Sequence, residues 1–108
     1  MTELELIDLL ERITDSAVEP ALTADDIDDL VGVAARADET GLYRGDTGWE
    51  PTWDVNAAAA EGWRRKAGKA ATKFNFAEDS QRFDRSQIYQ HCERQAEVYA
   101  NKSMGTLT

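Results

Sequence analysis

Four consecutive alanines, Ala57 to Ala60, open a stretch that also holds Ala67, Ala70 and Ala71 and contains no proline from 54 to 73. Alanine has the highest helix propensity and the smallest useful side chain. The stretch therefore predicts a helix, the third of the chain, over about 54–73. A helix faced with alanine can approach its neighbours to near the ~8 Å lower limit of helix packing. Ala59, Trp63, Ala67, Ala70 and Phe74 recur at helical spacing and form the expected buried stripe. Such a helix belongs in the middle of a fold.

Two helices are expected before it. The first covers 3–16, with Leu6, Leu10, Ile13 and Ala17 on one face. Glu3 and Glu5 stand in its first turn, where the helix dipole favours negative charge, and Pro20 closes the segment. The second covers 24–38. Thr23 is its N-cap and Asp26 stands at the third helical position, a variant of the capping box. Leu22 and Ile27 are spaced for a hydrophobic staple across that cap. Ile27, Leu30, Val31 and Ala34 make the buried stripe. Asp25, Asp28 and Asp29 fall outside it and lack the ligand-to-glycine spacing of a calcium loop, so they read as a solvated face.

Residues 39–52 read as a loop punctuated by Gly41, Gly45, Gly48 and Pro51. Arg44-Gly45-Asp46 matches an integrin-binding tripeptide, a match too short to carry meaning. Tyr43, Trp49 and Trp53 either fold back onto the core or anchor a partner, and folding back is the favoured reading. Residues 74–85 break the helical period, with Phe74, Phe76 and Phe83 among polar residues, and read as a short hairpin or ordered loop. A fourth helix is expected over 85–101, capped by Asp84 or Ser86, with Ile88, Cys92, Gln95 and Tyr99 on one stripe and Tyr89 and Ala96 beside it. Residues 102–108 carry no signal for structure and read as a flexible tail. The expected fold class is mainly α: one domain over 1–108, a small bundle of about four helices.

A chain of 108 residues with sixteen alanines and few large apolar side chains builds a thin core. The net charge of −9 argues against general binding to nucleic acid. It is unevenly spread: residues 1–61 hold sixteen acids and three bases, residues 62–108 nine bases and five acids. Either the two halves neutralise each other within one fold, or one subunit's acidic half faces the next subunit's basic half. The second arrangement joins two different surfaces and makes rings or filaments. Met1 to Leu10 carry three acids and no base, unlike the positive first segment of a secretory signal. No run approaches the ~20 apolar residues of a membrane span. The single Cys92 has no intrachain partner, which suits a reducing compartment. The acid-rich, lysine-poor composition fits a high-GC or halophilic host.

No common catalytic or metal pattern is present. His91 and Cys92 are adjacent, and neighbours on a helix point about 100° apart, too far to share a proton or a metal readily. There is no CxxC, no HExxH and no glycine-rich phosphate loop. No catalytic residue, metal ligand or cofactor is therefore expected. Arg65, Lys69 and Lys73 recur every four residues on one face of the third helix, and Arg64 and Lys66 widen that strip. The strip is either a solvated face beside the acidic helices or a docking stripe for an acidic partner or a neighbouring subunit. Phosphate contact ranks third, because aromatic interleaving is missing.

The stretch from Trp53 to Tyr99 resembles the head-to-tail connector (adaptor) proteins of siphovirus-type phages. Three segments carry the resemblance in order: the Ala-Ala-Ala-Glu-Gly-Trp run ending at Trp63, the Phe74-Asn75-Phe76 loop, and Arg85-Ser86-Gln87 at the opening of the last helix. The resemblance implies a helical subunit of a ring, usually of twelve copies. The ring lies under the portal in the virion neck, where it extends the DNA channel and offers a platform to tail-side stopper proteins. Assembly would take place in the host cytoplasm, without a membrane. DNA would pass through without sequence-specific binding, and an acidic wall would repel its phosphates. Under this reading Arg65, Lys69 and Lys73 meet acids such as Asp25 and Asp29 of a neighbour, and the Trp49 loop or the 102–108 tail docks on the portal. The competing expectation is an acidic interaction protein, a DNA mimic or a regulator that binds a host factor.

Overall fold

The computed structural model describes residues 1–74 and 79–103, and side chains for 1–72 and 87–103. Four helices carry the fold: α1 (Glu3–Ile13), α2 (Ala24–Ala34), α3 (Val55–Phe74) and α4 (Asp79–Lys102). Among the described residues there is no strand, only one isolated antiparallel bridge between Ala35 and Trp53. The molecule measures 54 × 30 × 18 Å. As its composition predicts, α3 runs through the middle and packs against each of the other three helices.

The helix starts follow local chemistry. Thr2 caps α1, accepting from the Glu5 N–H at 3.2 Å while the Glu5 carboxylate accepts from the Thr2 N–H at 2.9 Å. Thr23 and Asp26 exchange the same pair of bonds at α2, at 3.1 and 2.8 Å. The helix ends depart from the sequence reading. α1 stops at Ile13 because Asp15 enters the left-handed region at φ 48°. The Asp15 and Ser16 N–H groups then turn back to the carbonyls of Arg12 and Glu11, the two bonds of a Schellman motif. α2 stops at Ala34 because the next residues pair with the far end of the loop. Arg36 N–H donates to Thr52 O at 2.9 Å and Asp54 N–H to Ala34 O at 2.7 Å. The helical bonds thus end with Ala35 N–H on Val31 O, and Arg36 turns to a non-local partner.

The reading of 74–85 as a hairpin or loop is corrected in its length. α3 continues through Phe74 and α4 begins at Asp79, so only 75–78 separate them, and those four lie outside the described residues. Asp84 and Ser86 are interior positions of α4 and do not cap it.

The core lies in two parts on either side of α3. On one side, Leu6, Leu10, Leu22, Ile27, Leu30, Val31 and Ala34 close over Ala58. On the other, Trp63 and Ala67 meet Cys92 and Ala96, flanked by Tyr89 and Tyr99. The inward stripe of α4 is therefore Tyr89, Cys92, Ala96 and Tyr99, rotated from the expected one; Ile88 is 39% exposed. Close approach shows at Gly62, where a Cβ would stand 2.8 Å from Thr14 Cγ2 and 3.0 Å from Leu30 Cδ1.

Candidate functional site

The basic strip of α3 works within its own chain. Arg65 donates to Asp29 at 2.9 Å and to Asp26 at 3.3 Å, and its guanidinium lies 3.7 Å from Glu61. Lys69 donates to Asp26 at 2.6 Å and to the Ala21 carbonyl at 2.9 Å. What the sequence suggested as a contact between neighbours is here a contact between α3 and α2 of one subunit. Asp25 is exposed and lies outside this network. The side chain of Lys73 lies outside the described residues. The residue that sequence reasoning undervalued is Asp26, which takes both cations and the Thr23 N–H. The bond from Lys69 first, and then those from Thr23, hold its carboxyl well below the usual aspartate range.

Lys66 does not widen an exposed strip. It is 1% exposed, and its Nζ donates to the main-chain carbonyls of Asp15 and Val18 at 2.5 and 3.0 Å. The ammonium also sits 4.9 Å from the centre of the Trp63 ring. Trp63 Nε1 donates to the Ile13 carbonyl at 3.2 Å. Trp63, Lys66 and Lys69 together hold four carbonyls of the 13–21 segment, so the cations of α3 clamp the α1–α2 connection against the central helix. The first of these carbonyls lies at the C-terminus of α1, where donors and positive charge are favoured.

Beside this clamp lies an open cleft of about 420 Å³, lined among others by Glu19, Trp63, Lys66, His91 and Cys92. Its groups are poorly set for nucleophilic chemistry. Burial pushes the Cys92 thiol up, away from the reactive thiolate. Burial pushes the Lys66 amine down, but both carbonyls hold it and solvent barely reaches it. The His91 ring stands edge-on to Trp63 at 5.5 Å. Among the described residues no group of three or more His, Cys, Asp or Glu could hold a metal ion, and no helix is long and apolar enough to cross a membrane.

Trp49 is half-buried on its own chain. Its indole N–H donates to the Arg36 carbonyl at 3.0 Å, and its ring meets Trp53 edge-on at 5.2 Å. Tyr43 O–H donates to the Ala35 carbonyl at 3.0 Å. The loop is ordered from within by Asp38, whose carboxylate accepts from Thr40, Leu42 and Glu50 and is held down to about 2, chiefly by the Thr40 hydroxyl. Behind the loop, buried Asp54 begins α3. It accepts from the Ala57 N–H at 3.0 Å and from the Ser103 hydroxyl at 2.8 Å, which fastens the end of α4 to the start of α3.

The Arg85-Ser86-Gln87 segment lies inside α4, past its first turn, and not at its opening as the resemblance implied. Asn75 and Phe76 of the middle segment lie outside the described residues. Comparison with models of protein families, with curated proteins and with solved structures finds no match for this chain.

Proposed function

We propose that this chain is a structural subunit of a tailed virus, a head-to-tail adaptor. Its copies form a ring in the virion neck, twelve being the usual number in the family it resembles. The ring lies under the portal, extends the DNA channel and presents a platform to tail-side proteins. The reading rests on the three segments between Ala58 and Gln87 and is supported by one observation above the rest. Among the described residues α3 is the one helix that α4 packs against, although α4 is 24 residues long. A long helix that is polar on most sides and has one partner is suited to lie between subunits. Asp25 of α2 is exposed and stands outside the α2–α3 ion pairs, which suits a wall that repels passing phosphates.

The test is microscopy and mass photometry of the purified chain, alone at high concentration and with the portal protein from the same genome. Rings on the portal support the reading. A chain that stays monomeric beside that portal overturns it. The second reading, an acidic partner of a basic host protein, draws on the exposed aspartates Asp25 and Asp28. It requires a one-to-one complex with a basic protein that dissolves with added salt, and no rings.

A further inference from the structure

The outward face of α4 carries Arg94, Val98 and Lys102 at four-residue intervals. Val98 is 44% exposed, and Arg94 and Lys102 are exposed on either side of it. Among the described residues α4 packs against no helix other than α3. The arrangement is basic, apolar, basic over ~12 Å of helix.

The complementary surface lies on α1 and α2, which leave an open groove of about 340 Å³ between them. Its floor is apolar: Ile7, Leu22 and Ile27. Its rims are acidic, with Glu11 on α1 and Asp28 on α2, and no ion pair reaches either among the described residues. The cations in reach are committed elsewhere: Arg12 pairs with Asp8, Arg65 with Asp26 and Asp29, and Lys69 with Asp26. Leu4 shares the α1 face of Ile7 and Glu11 and is 79% exposed, so the apolar surface extends beyond the groove. Exposed apolar surface rimmed by charge marks an interaction site.

We infer that this groove receives α4 of a second copy of the chain, with Val98 entering between α1 and α2 and Arg94 and Lys102 facing Glu11 and Asp28. The two surfaces are different and sit on different elements, so the contact is heterologous and repeats from copy to copy, closing as a ring or running on as a filament. The inference rests on the adaptor reading for its occupant. It replaces Arg65 and Lys69, which are engaged within the subunit, by a different pair of surfaces.

The test uses two full-length variants, each with one surface reversed. Glu11→Lys with Asp28→Lys makes the groove basic; Arg94→Glu with Lys102→Glu makes the α4 face acidic. Each variant alone then opposes like charges and is expected to assemble at least about tenfold more weakly than the wild type by mass photometry. An equimolar mixture restores opposite charge at both alternating contacts and is expected to assemble, which also shows that both variants are folded. Variants that assemble like the wild type, or a mixture that stays as dissociated as its parts, overturn this interface while wild-type rings still stand. A wild-type chain that forms no oligomer, alone or on its portal, overturns the adaptor reading with it.

Discussion

Lys69 of α3 reaches Asp26 of α2 at 2.6 Å, and the same carboxylate closes the capping box of its own helix. One acid thus starts α2 and binds it to the central helix. Replacing it removes both functions together. Asp26→Ala is expected to destabilise the fold by ~2 kcal/mol, measured by urea unfolding, with Lys69→Ala alone costing less.

The same bonds give a pH dependence. Asp26 stays ionised in the folded chain at pH values where the unfolded chain has already protonated it. The unfolded state therefore takes up more protons on acidification, and stability falls as pH drops below the ordinary carboxylate value of ~4. Asp38, held at about 2 by the hydroxyl of Thr40 and three main-chain N–H groups, acts in the same direction. Asp26→Asn is expected to lose part of this slope between about pH 4 and 2, read from unfolding midpoints, and to leave the neutral-pH slope unchanged.

Two glycines of α3 should respond in opposite ways to one chemical change. A methyl group at Gly62 meets Thr14 and Leu30, and overpacking of this kind costs ~1–3 kcal/mol. A methyl group at Gly68 meets nothing within 4 Å, so only the helix propensity of alanine acts, ~1 kcal/mol in favour. Gly62→Ala is expected to lower the melting temperature and Gly68→Ala to raise it.

Lys66→Met keeps most of the buried volume and removes the donor. The carbonyls of Asp15 and Val18 then lose a partner inside the fold, a loss of ~1–3 kcal/mol. Hydrogen exchange should accelerate at residues 14–20 more than in α2, and equal protection in both segments would contradict the clamp.

Much of the helical layout was legible because it is local. The buried stripe of α2 and the alanine face of α3 follow from spacing and size alone. The Thr2–Glu5 cap is equally local, a threonine three residues before a glutamate. Helix ends were less legible, since they depend on distant groups. Ala35, Arg36 and Ala37 suit a helix, and distant groups draw them out of one: Thr52 and Asp54 through the main chain, Tyr43 and Trp49 through their side chains. At the site, spacing already put Lys66 on the buried face, three residues after Trp63 and four before Ala70. Its charge argued for solvent, because nothing in the sequence reveals that two carbonyls wait at the end of a neighbouring helix. The charge pattern allows Arg65 to pair with Asp29 either within one fold or across neighbours, and the structure shows the pairing within the chain: charge identifies partners but not whose chain they are on.

The bonds of Lys66 end on peptide oxygens, which every residue possesses. Side chains at 15–18 are consequently free of any part in those two bonds, and Asp15, Ala17 and Val18 project into solvent. Related chains could vary the surface of this crossing widely while its path stays fixed. Lys66 would then be the position that tolerates least, anchoring a segment whose own letters matter little.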